Sequence, residues 1–326
     1  MSVDLSNLFS YLQSGGSSTA SLRQALPAFE HNCILSRQEC NFQLMGQNIG
    51  LLVRPAPYLG TNRKGAIREL IEQIEFRSPD IVGICEIFDN DERNQIYKAL
   101  KTIYVDRRDG PDRNTIIDGR AAKEDGGLLL LSKLPPIEGA SILFDDLTGS
   151  DWLVNKGVLY IKLQPPGIPF HFNIFYTHMQ DIKAFGGEGQ TVLYKQLSQL
   201  DNFISSKQKE DCVSIVFGDI NIPADNPANY QEMMSRLKSP IDLWIATGQQ
   251  PGTGHTFVPE NNFYADADDI PDYRERLDYF LMRVGKKFIP IADGMDVLQL
   301  KHNGRDISDH FGIGVAFKEY IQIDYT

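Results

Sequence analysis

The chain has little cysteine, histidine or tryptophan: four, six and two residues in 326. The cysteines are Cys33, Cys40, Cys85 and Cys212; none forms a CxxC pair, and Cys85 and Cys212 sit inside apolar runs. That spacing argues against a zinc ribbon or a disulfide framework and for buried thiols. Cys33 and Cys40 could bridge, but nothing requires it. No run is long and apolar enough to cross a bilayer. The opening MSVDLSNLFSYLQSGG has neither the basic stretch nor the apolar core of a leader, so a soluble, cytoplasmic or otherwise unexported chain is expected. Positive charge is also short, with 32 Lys and Arg against 43 Asp and Glu and a net charge of -11. This balance argues against a broad surface for coating nucleic acid, although a local groove can still be basic. Carboxylates gathered around divalent cations make a sequence acidic in the same way.

What is present is a large apolar complement, 42% of residues, enough for a sizeable core. Residues 1–40 read as an N-terminal extension, broken at Gly15-Gly16-Ser17-Ser18, with Leu22, Leu26 and Phe29 on one side of a short helix. A catalytic domain is expected over 41–326. It opens with a strand from Phe42, followed by a helix carrying Ile67, Leu70, Ile71 and Ile74, and a stop at Ser78-Pro79. Short apolar runs predict strands at 81–85, 128–131, 139–144, 157–163, 170–176, 213–217, 276–282 and 311–317. Helices are expected over 188–206 and 227–237, and polar segments 101–126 and 261–273 read as surface loops. Helices dispersed among many half-buried strands predict two packed sheets with helices outside, not a doubly wound parallel sheet.

Five segments place a hard oxygen donor or an imidazole at the end of an apolar run. Glu86 closes IVGICE, where a carboxylate serves as metal ligand, ion-pair partner or cap. His178 ends a strand in YTHMQ and either donates to a phosphate oxygen or sits as an edge histidine. In GDIN, Asp219 and Asn221 at i and i+2 point the same way from an extended chain, so carboxylate and amide can reach one phosphate–metal centre. Gly218 permits close backbone approach. Asp278 in RLDYF either pairs with Arg276 or orients a histidine from elsewhere. Ser308-Asp309-His310 supplies that histidine, and a neutral imidazole held by a carboxylate suits general-base work near neutral pH.

Taken in order, Asn48, the Glu86 segment, GGLLLLSK at 126–133, YTHMQ at 176–180, GDIN at 218–221, RLDYF at 276–280 and SDH at 308–310 resemble the endonuclease/exonuclease/phosphatase superfamily across roughly 42–318. The resemblance implies a four-layer α/β sandwich, two mixed β-sheets face to face with helices outside. Within the superfamily the chain is more similar to neutral, magnesium-dependent sphingomyelinases. Glu86-Ile87-Phe88-Asp89-Asn90, Asp125-Gly126-Gly127 and the Asp151 to Lys156 spacing carry that likeness. The chain departs from the secreted members in having no long exposed apolar hairpin, and in reading Gly254-His255-Thr256-Phe257-Val258 where a Ser/Thr-Trp pattern is more usual.

The resemblance implies that Glu86, assisted by Asn48 and with Asp309 in the same shell, holds Mg²⁺, for which Mn²⁺ or Co²⁺ could substitute. His310, oriented by Asp278, would take a proton from water; Asn221 and His178 would bind phosphoryl oxygens, and Asp219 would position the water or complete the metal shell. Lys156 would approach the reacting phosphate, with Asp151 holding it in another state; without the resemblance it reads as a surface lysine beside a turn. His171 and His302 read as surface or edge residues, His255 as a possible cleft residue, Trp152 and Trp244 as packing. The expected substrate is a phospholipid head-group phosphodiester of the sphingomyelin kind, cleaved as by a phospholipase C, with transient contact to a membrane surface. Nucleic acid is the alternative, with Arg107, Arg108, Arg113 and Arg120 as possible backbone contacts, and a soluble phosphomonoester is a third. A silent binding module would have shed part of a set that is complete here.

Overall fold

Every residue of the strand Cys212–Asp219 is buried, so this strand has apolar material on both faces. The computed structural model describes residues 33–52, 63–111, 116–117, 120–121, 125–149, 151, 154–183, 187–250, 252–258 and 274–325. The expectations placed on residues 1–32, Arg113, Trp152 and 261–273 lie outside them.

In chain order the elements are β1 (Cys33–Leu51), α1 (Arg63–Arg77), β2 (Ile81–Ile87), α2 (Asn90–Leu100), β3 (Asp106–Gly110), the pair β4 (Ile116–Ile117) and β5 (Arg120–Ala121), β6 (Leu128–Ser132), β7 (Glu138–Leu143), β8 (Gly157–Leu163) and β9 (His171–His178). There follow α3 (Glu188–Lys207), β10 (Cys212–Asp219), α4 (Pro227–Arg236), β11 (Ile241–Asp242), α5 (Leu243–Ala246), β12 (Asp278–Arg283), β13 (Phe288–Leu298), β14 (Lys301–His302), β15 (Arg305–Asp306) and β16 (Gly312–Tyr325). One six-stranded sheet has the order β13-β16-β1-β2-β6-β3 and the other β11-β12-β10-β9-β8-β7. Both are mixed, since β1 runs parallel to β2 and β9 to β10 while the other neighbours in the two sheets are antiparallel.

Alternation along the strands sorts side chains into three apolar clusters. Phe42, Leu44, Ile81 and Leu130 of the first sheet meet Phe172, Ile174, Phe217 and Phe280 of the second in the central one. The alternate residues Met45, Val82, Ile84 and Leu129 face Ile67, Leu70 and Ile74 of α1 and Ile96 of α2. Val158, Tyr160, Phe175 and Val216 face Leu193, Leu197 and Leu200 of α3 and Met233 of α4. The result is the four-layer sandwich: helices, sheet, sheet, helices. Across the middle, the Phe42 and Phe172 rings stack at 4.3 Å, and each fully buried Phe contributes about 1.5–3 kcal/mol. Gly83 lets the sheets close: a Cβ there would lie 2.3 Å from Tyr176 Cε2.

Two expectations are corrected. Residues 33–40, assigned to the extension, form the start of β1, because Cys33 to Glu39 pair with Tyr325 to Glu319 of β16. Segment 101–126 is not wholly a loop: Asp106 to Gly110 pair with β6 at a sheet edge, where charged side chains suit an exposed rim. Helix α2 and edge strand β13 escaped notice. The inner face of α2 carries Glu92 and Arg93 beside Ile96 and Leu100, which hides its period, and Pro290 and a register shift interrupt β13. Trp244 packs in the central core as expected.

Candidate active site

The register of the second sheet brings distant residues together at one end. Asp219, the last residue of β10, stands opposite His178 on β9 and opposite Asp278 on β12. Across the sandwich, Asn48 lies near the end of β1 beside Cys85 of β2, and Glu86 follows in the left-handed region with φ 54. That conformation is costly for a residue with a Cβ and turns the carboxylate off the strand's normal alternation.

Asn48 joins the two sheets. Its Nδ2 donates to Glu86 Oε1 and to Asp219 Oδ2, each at 3.0 Å, while its Oδ1 accepts from the Gly50 N–H at 3.1 Å. His178 Nε2 lies 3.7 Å from Glu86 Oε1 and 3.8 Å from Asp219 Oδ2. His310 Nδ1 stands 2.8 Å from Asp278 Oδ2, and its Nε2 lies 3.7 Å from Asp219 Oδ2. Arg276 does not compete for Asp278: its Nη2 pairs with Asp242 Oδ2 at 2.7 Å in the interior. Asp309 Oδ1 lies 3.2 Å from Ser308 Oγ. A Cβ on Gly50, at φ +63, would lie 3.0 Å from Asp309 Oδ1, so glycine leaves that carboxylate its place.

Lys156 is only 3% exposed, which excludes the reading of it as a surface lysine. Its Nζ donates to the Met179 carbonyl at 2.7 Å and lies 3.0 Å from His178 Nε2 and 3.0 Å from Asp151 Oδ2. Asn221 reaches the same carbonyl with its Nδ2 at 2.9 Å. It does so from a turn, not from the extended chain expected: its φ is 59, and its N–H donates to Asp219 Oδ1 at 2.9 Å.

Supporting residues were missed by sequence reasoning. The buried Thr256 Oγ1 accepts from the N–H groups of both Leu277 and Asp278 at 3.1 Å, which fixes the start of β12. Ser308 Oγ donates to the Asn48 carbonyl at 2.7 Å and accepts from the His310 N–H at 3.1 Å. The Phe257 ring sits 5.1 Å from that of His310. Thr256 and Phe257 belong to the atypical segment 254–258, and that departure is the signal that could have flagged them. His255 is half-buried.

Burial, reinforced by the charge of Asp309, raises the Glu86 carboxyl above its ordinary value. Burial likewise pushes Asp219 up to about 7, against the pull of His310. His178 is held well below its ordinary value, first by burial and then by Lys156 and His310. Burial also disfavours charge on His310, yet the carboxylates of Asp278, Asp219 and Asp309 hold it well above its ordinary value. A divalent cation can supply these crowded, buried carboxylates with positive charge beyond that of His310 and Lys156. Donor atoms of Glu86, His178 and Asp219 lie within 4.8 Å of one another, and so do those of Asp219, Asp278 and His310. The residues present therefore fit a divalent metal.

A profile of the Endonuclease/Exonuclease/phosphatase family matches residues 44–310. Sphingomyelinase C of Listeria ivanovii is 26% identical over 192 residues, 56% of this chain and 56% of that enzyme, so the match spans less than two thirds of the relative's length. In structure, sphingomyelinase C from Streptomyces griseocarneus is similar with a TM-score of 0.66 and 22% identity, over 85% of this chain and 99% of that one. D. rerio TDP2 complexed with single strand DNA product is similar with a TM-score of 0.64 and 20% identity, over 85% and 98% of the two chains. These two structural likenesses concern the fold. The family match runs from β1 to His310 and takes in every segment that builds the centre, and the chain belongs to the endonuclease/exonuclease/phosphatase family of metal-dependent hydrolytic enzymes.

Proposed function

We propose that this chain hydrolyses a phosphodiester with Mg²⁺ as its cation, and that its substrate is a phospholipid head group of the sphingomyelin kind, cleaved as by a phospholipase C. The observation that carries the chemistry is the His310–Asp278 pair at 2.8 Å, set on the same rung as Asp219 and facing Glu86 across the sandwich. Bound Mg²⁺ would offset charge on a non-bridging phosphate oxygen and on the developing transition state. Glu86 and Asp219 would hold it, with Asp309 contributing through the same shell and Asn48 fixing both carboxylates by its two N–H bonds. With the charge of Asp219 and Asp309 offset by the cation, His310 would be freed of the carboxylates that hold it protonated and would take the proton of the attacking water, with Asp278 setting its tautomer and ring orientation. Asp219 keeps that water in line. Lys156, His178 and Asn221 line the opposite wall and receive the phosphoryl oxygens, and Asp151 holds the Lys156 amine when no phosphate is there.

The lipid reading is supported by the relatives named sphingomyelinase C and by the buried Lys156 Nζ lying 3.0 Å from His178 Nε2. Among the described residues no helix is long and apolar enough to cross a membrane, so lipid contact would be made at the surface. The nuclease reading has less behind it. Arg107 and Arg108 on β3 are engaged by Asp109 and Asp106.

The test is product release in Mg²⁺ from sphingomyelin vesicles, lysophospholipid, plasmid DNA and inositol phosphates, with Glu86→Ala alongside. Phosphocholine from the lipids, lost in the variant, is the expected result. Cleavage confined to DNA or to the soluble esters would overturn the substrate and leave the centre as described.

A further inference from the structure

Strands β9 and β10 lie parallel and in register from His171 opposite Cys212 at one end to His178 opposite Asp219 at the other. The hydrolytic centre uses the second end. The first end carries a different donor set. His171, Asp211 and Cys212 place a ring nitrogen, a carboxylate oxygen and a sulfur within 4.8 Å of one another. The backbone fixes this corner, because the His171 N–H donates to the Asp211 carbonyl at 3.0 Å. His171 Nδ1 is buried and carries no hydrogen bond, although Asp211 Oδ2 stands 3.3 Å away. Such an atom needs a partner. Cys212 Sγ lies 3.7 Å from Asp211 Oδ1, and Gln208 Nε2 holds the Cys212 carbonyl from behind at 2.8 Å.

We propose that His171, Asp211 and Cys212 form a second metal site, for one thiophilic divalent cation of the Zn²⁺ class, at the opposite end of the strand pair from the hydrolytic centre. Imidazole, thiolate and carboxylate together are a zinc donor set, and three of them leave the fourth position to water. Mg²⁺ prefers hard oxygens and does not take a thiolate, so the two ends of the same strands select different ions. Binding replaces the Cys212 proton, which leaves to solvent as the sulfur–metal bond forms. Access is open: the His171 and Asp211 side chains are 21% and 47% exposed, while Cys212 closes the inner side. Lys162 is the cation that acts on this corner, lowering the Cys212 thiol against the larger effect of burial; it favours the thiolate and repels the metal. Bound metal ties the first residues of β9 and β10 to the turn before β10.

The test uses the full chain in excess Mg²⁺, titrated with Co²⁺ as a spectroscopic stand-in for Zn²⁺. The expected result is one equivalent of a thiolate-to-cobalt charge-transfer band, displaced by Zn²⁺, with a rise in the unfolding temperature. His171→Ala and Cys212→Ser should each lose the band and the rise, while a Cys33→Ser, Cys40→Ser variant keeps both. His171 is less buried than Cys212, so His171→Ala also guards against loss of fold in Cys212→Ser, checked by circular dichroism without metal. No band in the unmutated chain, or a band that survives in folded His171→Ala, overturns the site.

Discussion

His310 Nδ1 and Asp278 Oδ2 are 2.8 Å apart, and the Asp278 backbone that sets this distance is itself held by Thr256. The imidazole therefore has one face of its chemistry fixed and Nε2 turned toward Asp219. Replacing His310 by alanine should lower turnover about 1,000-fold, in the range of a lost general base, with little change in unfolding temperature. Asp278→Asn should lose most of that factor while keeping the fold. Normal turnover of His310→Ala in a metal-replete assay would remove the base assignment.

Glu86 gives a pH-dependent prediction. Burial and Asp309 place its folded pKa above the unfolded value. Such a group favours folding at low pH, and that contribution is lost as pH rises through the raised pKa. With the metal chelated, Glu86→Gln should unfold at a higher temperature than the parent at pH 8, and the difference should shrink toward about pH 4, near the ordinary carboxylate pKa. Saturating Mg²⁺ should reverse the order and leave the variant inactive. Scanning calorimetry with and without chelator reads both, and a less stable chelated variant at pH 8 would contradict the crowding of carboxylates.

Lys156 touches the Met179 carbonyl, His178 and Asp151, and no solvent to speak of. If it meets the phosphate during reaction, Lys156→Ala should lower kcat about 100-fold, the scale of one lost transition-state donor, with a smaller change in KM. Asp151→Asn should change kcat far less. A pure rise in KM for Lys156→Ala would make it a ground-state binder only.

Thr256→Val keeps the shape of the side chain and removes the acceptor for two buried N–H groups. The cost should be about 1–3 kcal/mol in urea unfolding. Turnover should fall with it at temperatures where the variant is fully folded, because Asp278 moves with the start of β12. Unchanged stability would mean those N–H groups find water.

The layers of the fold were legible because the strands alternate cleanly: Phe172 and Ile174 go inward while Phe175 goes to the helices. The site was legible because its side chains sit at strand ends, where an apolar run stops on an acid, an amide or a histidine. What stayed hidden has physical reasons. Helix α2 turns charged residues inward, with Arg93 paired to Asp125 in the interior, so no apolar stripe marks it. The direction of Asn221 depends on a left-handed turn that alternation cannot foresee. Thr256 and Ser308 act through backbone groups far away in sequence, and nothing local distinguishes them from ordinary loop hydroxyls. His171 looked like any strand-end histidine until β10 brought Asp211 and Cys212 alongside.

The rung that Asp219 shares with His178 and Asp278 has a consequence for how errors in folding are caught. Neighbouring Phe217 points into the central core and Val216 toward the helices. A slip of β10 by one residue would exchange those faces and carry Asp219 away from both partners in the same movement. The chain cannot misalign its chemistry here while keeping its interior, so the penalty for a mispacked core also screens out molecules that would be folded but idle.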